Sequence, residues 1–241
     1  MKYLIAILAG IATGAALFAL LLYFNPLIKV QTLSPIAVSN NNQFELSYEA
    51  TPLESILWTD NGETNVRPRP PLVKELEEAT IRNTRVIVTM LRSSRGGPAG
   101  VGVRFATPAE ETGLLNGVYP VNSTWHIWLL QRGGLMIDQR ENVWTLLRDV
   151  VLPAHMSSAD SWRGSWYGIL TSGPNADGTG IVLGGSGKLA GADGEAVEAM
   201  NAKAYSAETG PASMQGRLTL SMTPAAAEPS NAADLAVTTS R

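Results

Sequence analysis

The sequence predicts a single N-terminal transmembrane helix followed by a mainly antiparallel β domain with two short packing helices. An uncharged apolar run at the N-terminus predicts the membrane helix. Short segments in which apolar and polar residues alternate predict the strands, and two stretches with apolar residues at helical spacing predict the packing helices. The predicted parts are a membrane anchor at 1–30, a linker at 31–43, a β-rich domain at 44–223 and a flexible tail at 224–241.

The apolar run from Leu4 to Phe24 contains no charged residue. At about 1.5 Å per residue, its length matches the roughly 30 Å hydrocarbon core of a bilayer. A cleaved secretory signal has a shorter apolar region that ends in small residues, whereas this run ends in Tyr23, Phe24 and Asn25. The segment is therefore predicted to be an uncleaved anchor in contact with lipid.

The orientation of this anchor follows from its short N-terminus, which carries Lys2 and most simply stays in the cytoplasm. Tyr3 and Tyr23 lie near the two ends, where amphipathic rings favour the headgroup level. In a bacterium, this topology places the helix in the inner membrane and the remaining domain in the periplasm.

Three small residues form a candidate helix-packing face on the anchor. Ala6, Gly10 and Gly14 are spaced four residues apart, so they lie along one side of the helix. Small residues at this spacing let a second membrane helix approach closely. The alternative is that they are simply the small residues common in single anchors.

The β domain is predicted from recurring alternation, first seen at Phe44, Leu46 and Tyr48. A hairpin is predicted at Gln131–Gly134, because Gly133-Gly134 supplies the positive φ angles of a tight turn. The predicted strands lie at 44–49, 86–91, 101–105, 125–130, 135–137, 166–171, 180–183, 195–199 and 217–222.

Two helices are expected to pack on this sheet. Pro70 and Pro71 precede the first, at 72–83. Asp138 and Glu141 match a capping box before the second, at 142–152, which Pro153 is expected to end.

Composition excludes several classes of function. The chain has no cysteine, which rules out disulfides, thiolate nucleophiles and iron–sulfur clusters. Its formal net charge is -3 and its basic residues are scattered, so nucleic acid is not an expected partner. The two histidines, His126 and His155, lack the spacing of a metal site or a hydrolytic triad. No metal, cofactor or catalytic residue is predicted.

Tryptophan is abundant, with six residues, and five of them fall within a short stretch. These aromatic residues are expected either to form an interface or cavity or to fill the domain core. His126 lies between two of them and is a cross-strand or pore-facing candidate. The candidate set is Trp125, His126, Trp128, Trp144, Trp162 and Trp166.

A glycine-rich segment carries a family resemblance. Gly184-Gly185-Ser186-Gly187-Lys188-Leu189 departs from a phosphate-binding loop, because Val182 replaces the first glycine and Leu189 the Ser or Thr after the lysine. Residues 178–194 instead resemble the strand–turn signature of the dirigent and allene oxide cyclase families, and 216–220 resemble their closing strand. The match covers about residues 160–222, and the resemblance implies an eight-stranded antiparallel barrel.

These observations favour a non-catalytic accessory subunit that binds or stabilises a larger membrane protein complex through integral membrane protein subunits. The alternative is a barrel that binds or isomerises a small apolar ligand, with His126 or the tryptophans in its lumen. A third class, a cell-envelope binding module without a permanent complex, also fits.

Overall fold

The computed structural model of the protein describes residues 2–24, 43–58, 84–110 and 112–223. The helix predicted at 72–83 and the tail predicted at 224–241 lie outside these residues. So does the predicted linker at 31–43, apart from Gln43, which begins the first strand.

The N-terminal element is a helix of 22 residues, α1 (Lys2–Tyr23). Within the described residues it is the one helix long and apolar enough to cross a membrane, with the qualifying stretch at Tyr3–Leu21. Its described side chains are exposed along the whole length, so α1 is not a core helix of the domain. An apolar helix in this position also has the character of a signal sequence.

The remaining described chain is a β domain with short helical segments. The helical parts after α1 are 3-10 turns at Leu53–Ser55, Leu114–Asn116 and Gly187–Leu189, two short α-helices, α2 (Trp144–Leu146) and α3 (Leu152–Met156), and the π-helical turn Leu147–Val151 that joins these two. The strands are β1 (Gln43–Glu49), β2 (Leu57–Trp58), β3 (Arg85–Ser93), β4 (Pro98–Pro108), β5 (Pro120–Leu129), β6 (Gly133–Asn142), β7 (Ser161–Ile169), β8 (Thr171–Gly173), β9 (Gly180–Gly185), β10 (Asp193–Ser206) and β11 (Gly210–Thr223).

Eight of these strands close into an antiparallel barrel. Their order is β1-β11-β10-β9-β6-β5-β4-β3, and β3 pairs back onto β1 at Leu46↔Ser93 and Ser47↔Arg92. Closure lets the backbone N–H and C=O groups of the outermost strands form hydrogen bonds within the barrel. In an open sheet these unpaired groups could bind a strand of another chain. Three further strands extend the wall: β2 pairs with β3, β8 with β6 and β7 with β10. The predicted fold class is confirmed.

The barrel interior contains two apolar layers with a polar layer between them. Along β10, Ala196 belongs to the larger apolar cluster and Met200 to the smaller one, while Glu198 lies between them. The larger cluster includes Leu46, Trp125, Ile137 and Leu218. In the smaller one, Val150 of the π-helical turn is fully buried, so segment 144–156 covers one end of the barrel.

The predicted capping box is wrong. Asp138 and Glu141 both belong to β6, and Glu141 is fully buried instead of lying at a helix terminus. The helical segment begins at Trp144, and Pro153 lies within α3 instead of ending the helix. The π-helical turn Leu147–Val151 comes immediately before, and its wider backbone accommodates a proline that cannot donate an N–H.

The hairpin predicted after β5 is confirmed, but its turn chemistry lies earlier than expected. Positive φ angles occur at Gln131 (60°) and Gly133 (119°), whereas Gly134 is an ordinary strand residue of β6. A methyl group added at Gly133 would overlap the carbonyl oxygen of Ser186 at 2.0 Å. Position 133 therefore requires glycine for two reasons: the backbone of Ser186 approaches too closely for a side chain, and the φ angle is positive.

Candidate functional site

A buried polar network occupies the barrel lumen. Arg104 of β4 forms an ion pair with Glu141 of β6, and its Nη1 lies 3.9 Å from Oε1 of Glu198 on β10. Both carboxylates are fully buried, and the arginine is 8% exposed. A charged side chain removed from water must be paired and hydrogen-bonded to avoid a large desolvation cost. The three groups therefore stabilise one another inside the barrel.

Neutral side chains complete the hydrogen bonds of the two carboxylates. Tyr48 and Trp125 donate to Glu198, the indole at 3.1 Å, and Ser123 donates to Glu141. The amide nitrogen of Gln139 donates to both carboxylates, at 3.0 Å to Glu141, and so bridges them. Thr171 donates to the Gln139 carbonyl oxygen at 3.1 Å and accepts the backbone N–H of Glu198 at 2.7 Å. Among the described residues, Nε of Arg104 has no hydrogen-bond partner.

Glycines make room for the aromatic members of this network. A methyl group at Gly216 would lie 2.0 Å from Cζ of Tyr48, and one at Gly102 would lie 2.8 Å from Cζ3 of Trp125. The two rings contact each other edge to face, with centroids 5.1 Å apart. Glycine at these inward positions lets large rings fill the lumen without displacing the opposite wall.

Two buried carboxylates share the guanidinium of Arg104 in this network, and Arg85 of β3 lies close enough to act electrostatically on Glu141 and Arg104. Burial, together with the neighbouring Glu141, raises the pKa of Glu198 despite the attraction of Arg104. Burial also raises the pKa of Tyr48, as does the adjacent Glu198. For Arg104, burial alone lowers the pKa, but Glu141 and Glu198 raise it by more, so its net pKa is elevated. Glu198 thus retains a proton at pH values where an ordinary glutamate is ionised.

The outer wall of the barrel carries an apolar surface, here called the outer-wall patch. Cross-strand pairs place its members side by side, with Met90 beside Val101, Val101 beside Trp128, and His126 beside Met136. Trp128 is 54% exposed, and the other members named here are also accessible to solvent. The patch comprises Val88, Met90, Val101, Phe105, His126, Trp128, Met136 and Leu183.

A hollow of about 270 Å³ lies within this patch. Its apolar rim is formed by Trp128, Met136 and Leu183, and Gly184 and Gly185 leave its floor without side chains. The imidazole of His126 lies between two aromatic rings, 5.7 Å from Phe105 and 6.3 Å from Trp128 by centroid. The patch therefore combines flat aromatic surface with a depression that can receive a side chain.

The structure separates the tryptophans that the sequence grouped together. Trp125 is fully buried and faces the lumen, whereas Trp128 and His126 face outward, so His126 is not a pore-facing residue. Trp162 and Trp166 are partly buried against the smaller apolar cluster. Trp144 begins α2, and its indole N–H has no partner among the described residues.

The candidate helix-packing residues Ala6, Gly10 and Gly14 lie on the exposed surface of α1. A methyl group added at Gly10 or Gly14 would meet no described atom within 4 Å. The described parts of the barrel thus do not cover this face, and it stays available for a second helix.

The lumen network was not predicted from the sequence. Arg104 belongs to β4. The apolar side chains of Val101, Val103 and Phe105 would normally indicate the buried face of such a strand, but the opposite face, which carries Arg104, is the buried one. The clearest available signal was in β6, where Leu135, Ile137, Gln139 and Glu141 occupy alternate positions and hence one face. Within the described residues, no group of three or more His, Asp or Glu side chains is arranged to hold a metal ion.

Comparisons with known proteins assign no family. No family model matches the chain, and no curated protein matches it. Among solved structures it is similar to "Structure of the pterocarpan synthase dirigent protein GePTS1", with 10% identity and a TM-score of 0.38 over 76% of this chain and 84% of that one. The class of protein defined by the structure is an eight-stranded antiparallel barrel preceded by one long apolar helix.

Proposed function

We propose that this protein is a non-catalytic accessory subunit, anchored in a membrane by α1, that binds a larger membrane protein complex through the outer wall of its barrel. The single observation that carries the proposal is the outer-wall patch. In the most direct topology, the anchor lies in a bacterial inner membrane and the barrel lies in the periplasm.

The patch has the chemistry of a protein-binding surface. Monomeric soluble proteins rarely expose large contiguous apolar patches, and those that do commonly use them for binding. Charged residues are kept to its margins, where Arg92 and Asp138 continue the outward-facing positions of β3 and β6. A partner that inserts an apolar side chain between Trp128 and Leu183 would bury both in a desolvated hollow.

The lumen favours a structural role over a catalytic one. Tyr48, Trp125, Gln139 and Thr171 satisfy the buried carboxylates, and their side chains occupy the interior among the described residues. A second candidate function, binding of a small ligand as the local dirigent-like sequence implies, is supported by one observation. Nε of Arg104 is a buried donor that no described side chain satisfies.

Native mass measurement after purification of the full chain in a mild detergent tests the proposal. The wild-type chain is expected in a complex heavier than, and not a multiple of, its own 25.6 kDa. The double variant V101E/W128E places charge in the patch and should release the subunit. Tyr167 is 66% exposed on β7, outside the patch, so Y167E is the matched control and should stay bound.

Three results would overturn the proposal. The wild-type chain migrating alone is the first, and assembly into multiples of its own mass is the second. The third is retention of the complex by V101E/W128E to the same extent as by Y167E.

A further inference from the structure

A groove lies between the C-terminal end of α1 and the helical segment that covers the barrel. One wall consists of Ala16, Ala19, Leu20, Tyr23 and Phe24, which share one helix face. The other wall comes from residues 144–157. The groove has a volume of about 590 Å³, within the range of sites that hold small molecules.

The lining of this groove is almost wholly apolar. Leu152 and Met156 are 46% and 76% exposed, although both belong to a helix that packs on the domain. Ala16, Ala19 and Leu20 are part of the stretch of α1 that is long and apolar enough to cross a membrane. The groove is therefore continuous with the surface of α1 that lipid chains would cover.

Residues with polar groups also line this groove, among them Trp144 and Arg148. The indole N–H of Trp144 is buried and has no hydrogen-bond partner among the described residues. The guanidinium of Arg148 binds Asp149 through Nε at 2.6 Å and Nη2 at 2.8 Å, so its Nη1 donors are not engaged by this ion pair. Tryptophan, tyrosine and arginine side chains favour the level at which acyl chains meet headgroups.

We propose that the groove between α1 and segment 144–157 is a binding site for one phospholipid of the surrounding bilayer. An acyl chain lies between Ala19 and Leu152, and the phosphate accepts a hydrogen bond from Nη1 of Arg148. The bound lipid joins the anchor to the helical segment, which then lies at the membrane surface. This site rests on the proposed function only in requiring that α1 be in a membrane.

The test uses the full chain, reconstituted in bilayers of palmitoyl-oleoyl-phosphatidylcholine and then extracted in mild detergent for native mass spectrometry. The wild-type chain should retain about one phospholipid. Ala19→Phe fills the groove and should lose it. Ala9→Phe makes the same change about 15 Å away along α1 and should retain it.

Competition with a diacylglycerol tests the role of the headgroup. The wild-type chain should favour phosphatidylcholine by about tenfold, the usual effect of a hydrogen bond to a charged group. Arg148→Gln should abolish this preference.

The groove is refuted as a lipid site if the wild-type chain retains no phospholipid, or if A19F and A9F retain it equally. Equal occupancy by diacylglycerol in the wild-type chain would refute the headgroup contact. An alkaline wash of the membranes separates these failures from failure of the anchor. Release by the wash refutes both the anchor and the lipid site, whereas a chain that stays membrane-bound without retained lipid refutes the lipid site alone.

Discussion

At the scale of single residues, the polar layer of the barrel lumen is organised around two carboxylates that share the guanidinium of Arg104. Arg104 neutralises one buried carboxylate, and Glu198 is left to compete for the same guanidinium at 3.9 Å. Burial and Glu141 therefore raise the pKa of Glu198 above its ordinary value of 4.5. Hydrogen bonds from Tyr48, Trp125 and Gln139 hold this carboxyl in a fixed position.

The raised pKa of Glu198 makes stability depend on pH in a defined direction. The folded state binds the proton more tightly than the unfolded state, so the favourable contribution is complete below about 4.5 and is lost as pH rises through the elevated pKa. Glu198→Gln should flatten this part of the pH profile.

Thermal unfolding of the detergent-solubilised chain between pH 4.5 and 8 measures this effect. The wild-type Tm should fall with rising pH relative to that of E198Q, because titrating groups remote from Glu198 contribute equally to both proteins. Parallel pH profiles would show that Glu198 has the same pKa in the folded and unfolded chains.

At the scale of elements, α1 presents two distinct faces. Ala16, Ala19, Leu20 and Tyr23 border the groove beside segment 144–157, whereas the face formed by Ala6, Gly10 and Gly14 is centred about a third of a turn around the helix. The small-residue face meets no described neighbour. It is therefore the face on which a partner helix can approach.

Bulky residues on this face should weaken assembly without releasing the protein from the membrane. The double variant G10L/G14L keeps the segment apolar but blocks close approach of a second helix. A12L/A15L adds similar bulk on another side of α1 and is the control. Co-purification of the complex should fall in the first variant only, and unchanged co-purification in G10L/G14L would reduce α1 to a tether.

The sequence predicted the positions of the strands better than it predicted which face of each strand is buried. Alternation located the strands, and the glycine-rich segment at 178–194 suggested a barrel, because both patterns depend on local backbone geometry. Which face of β4 is buried could not be read from Val101, Val103 and Phe105, since apolar side chains normally indicate the inside. The pairing of Arg104 with Glu141 depends on strand register across the barrel, a non-local property.

The capping box at Asp138 and Glu141 failed for a related reason. The four-residue motif is short, and it competed with a strand pattern that continued through Leu135, Ile137 and Gln139. In the strand, Glu141 is buried and forms an ion pair with Arg104.

At the scale of the whole molecule, the barrel combines a polar layer inside, between two apolar layers, with an apolar patch on its outer wall. Charged and hydrogen-bonding groups occupy the middle of the lumen, while apolar and aromatic side chains lie on the outside of β3, β4, β5, β6 and β9. The two features have different consequences. The buried network stabilises one arrangement of the barrel strands. The outer-wall patch leaves apolar surface that a binding partner can cover.

In the proposed topology α1 is a membrane anchor, and this tether changes how strongly the outer-wall patch can bind. A membrane-tethered barrel searches for its partner within a thin layer beside the bilayer, and tethering raises the effective concentration of the patch at any partner held in the same membrane. Modest apolar area is then sufficient for a lasting contact. The membrane tether and the outer-wall patch therefore act together in the proposed function.

Site-specific photo-crosslinking in native membranes tests this central claim most directly. A photoreactive phenylalanine analogue is placed at Trp128 within the patch or at Tyr167 outside it. The account predicts a discrete crosslink to an integral membrane protein from position 128, lost when V101E is added, and no such product from position 167. Crosslinks only to lipid or to a second copy of the chain, or equal products from both positions, would contradict it.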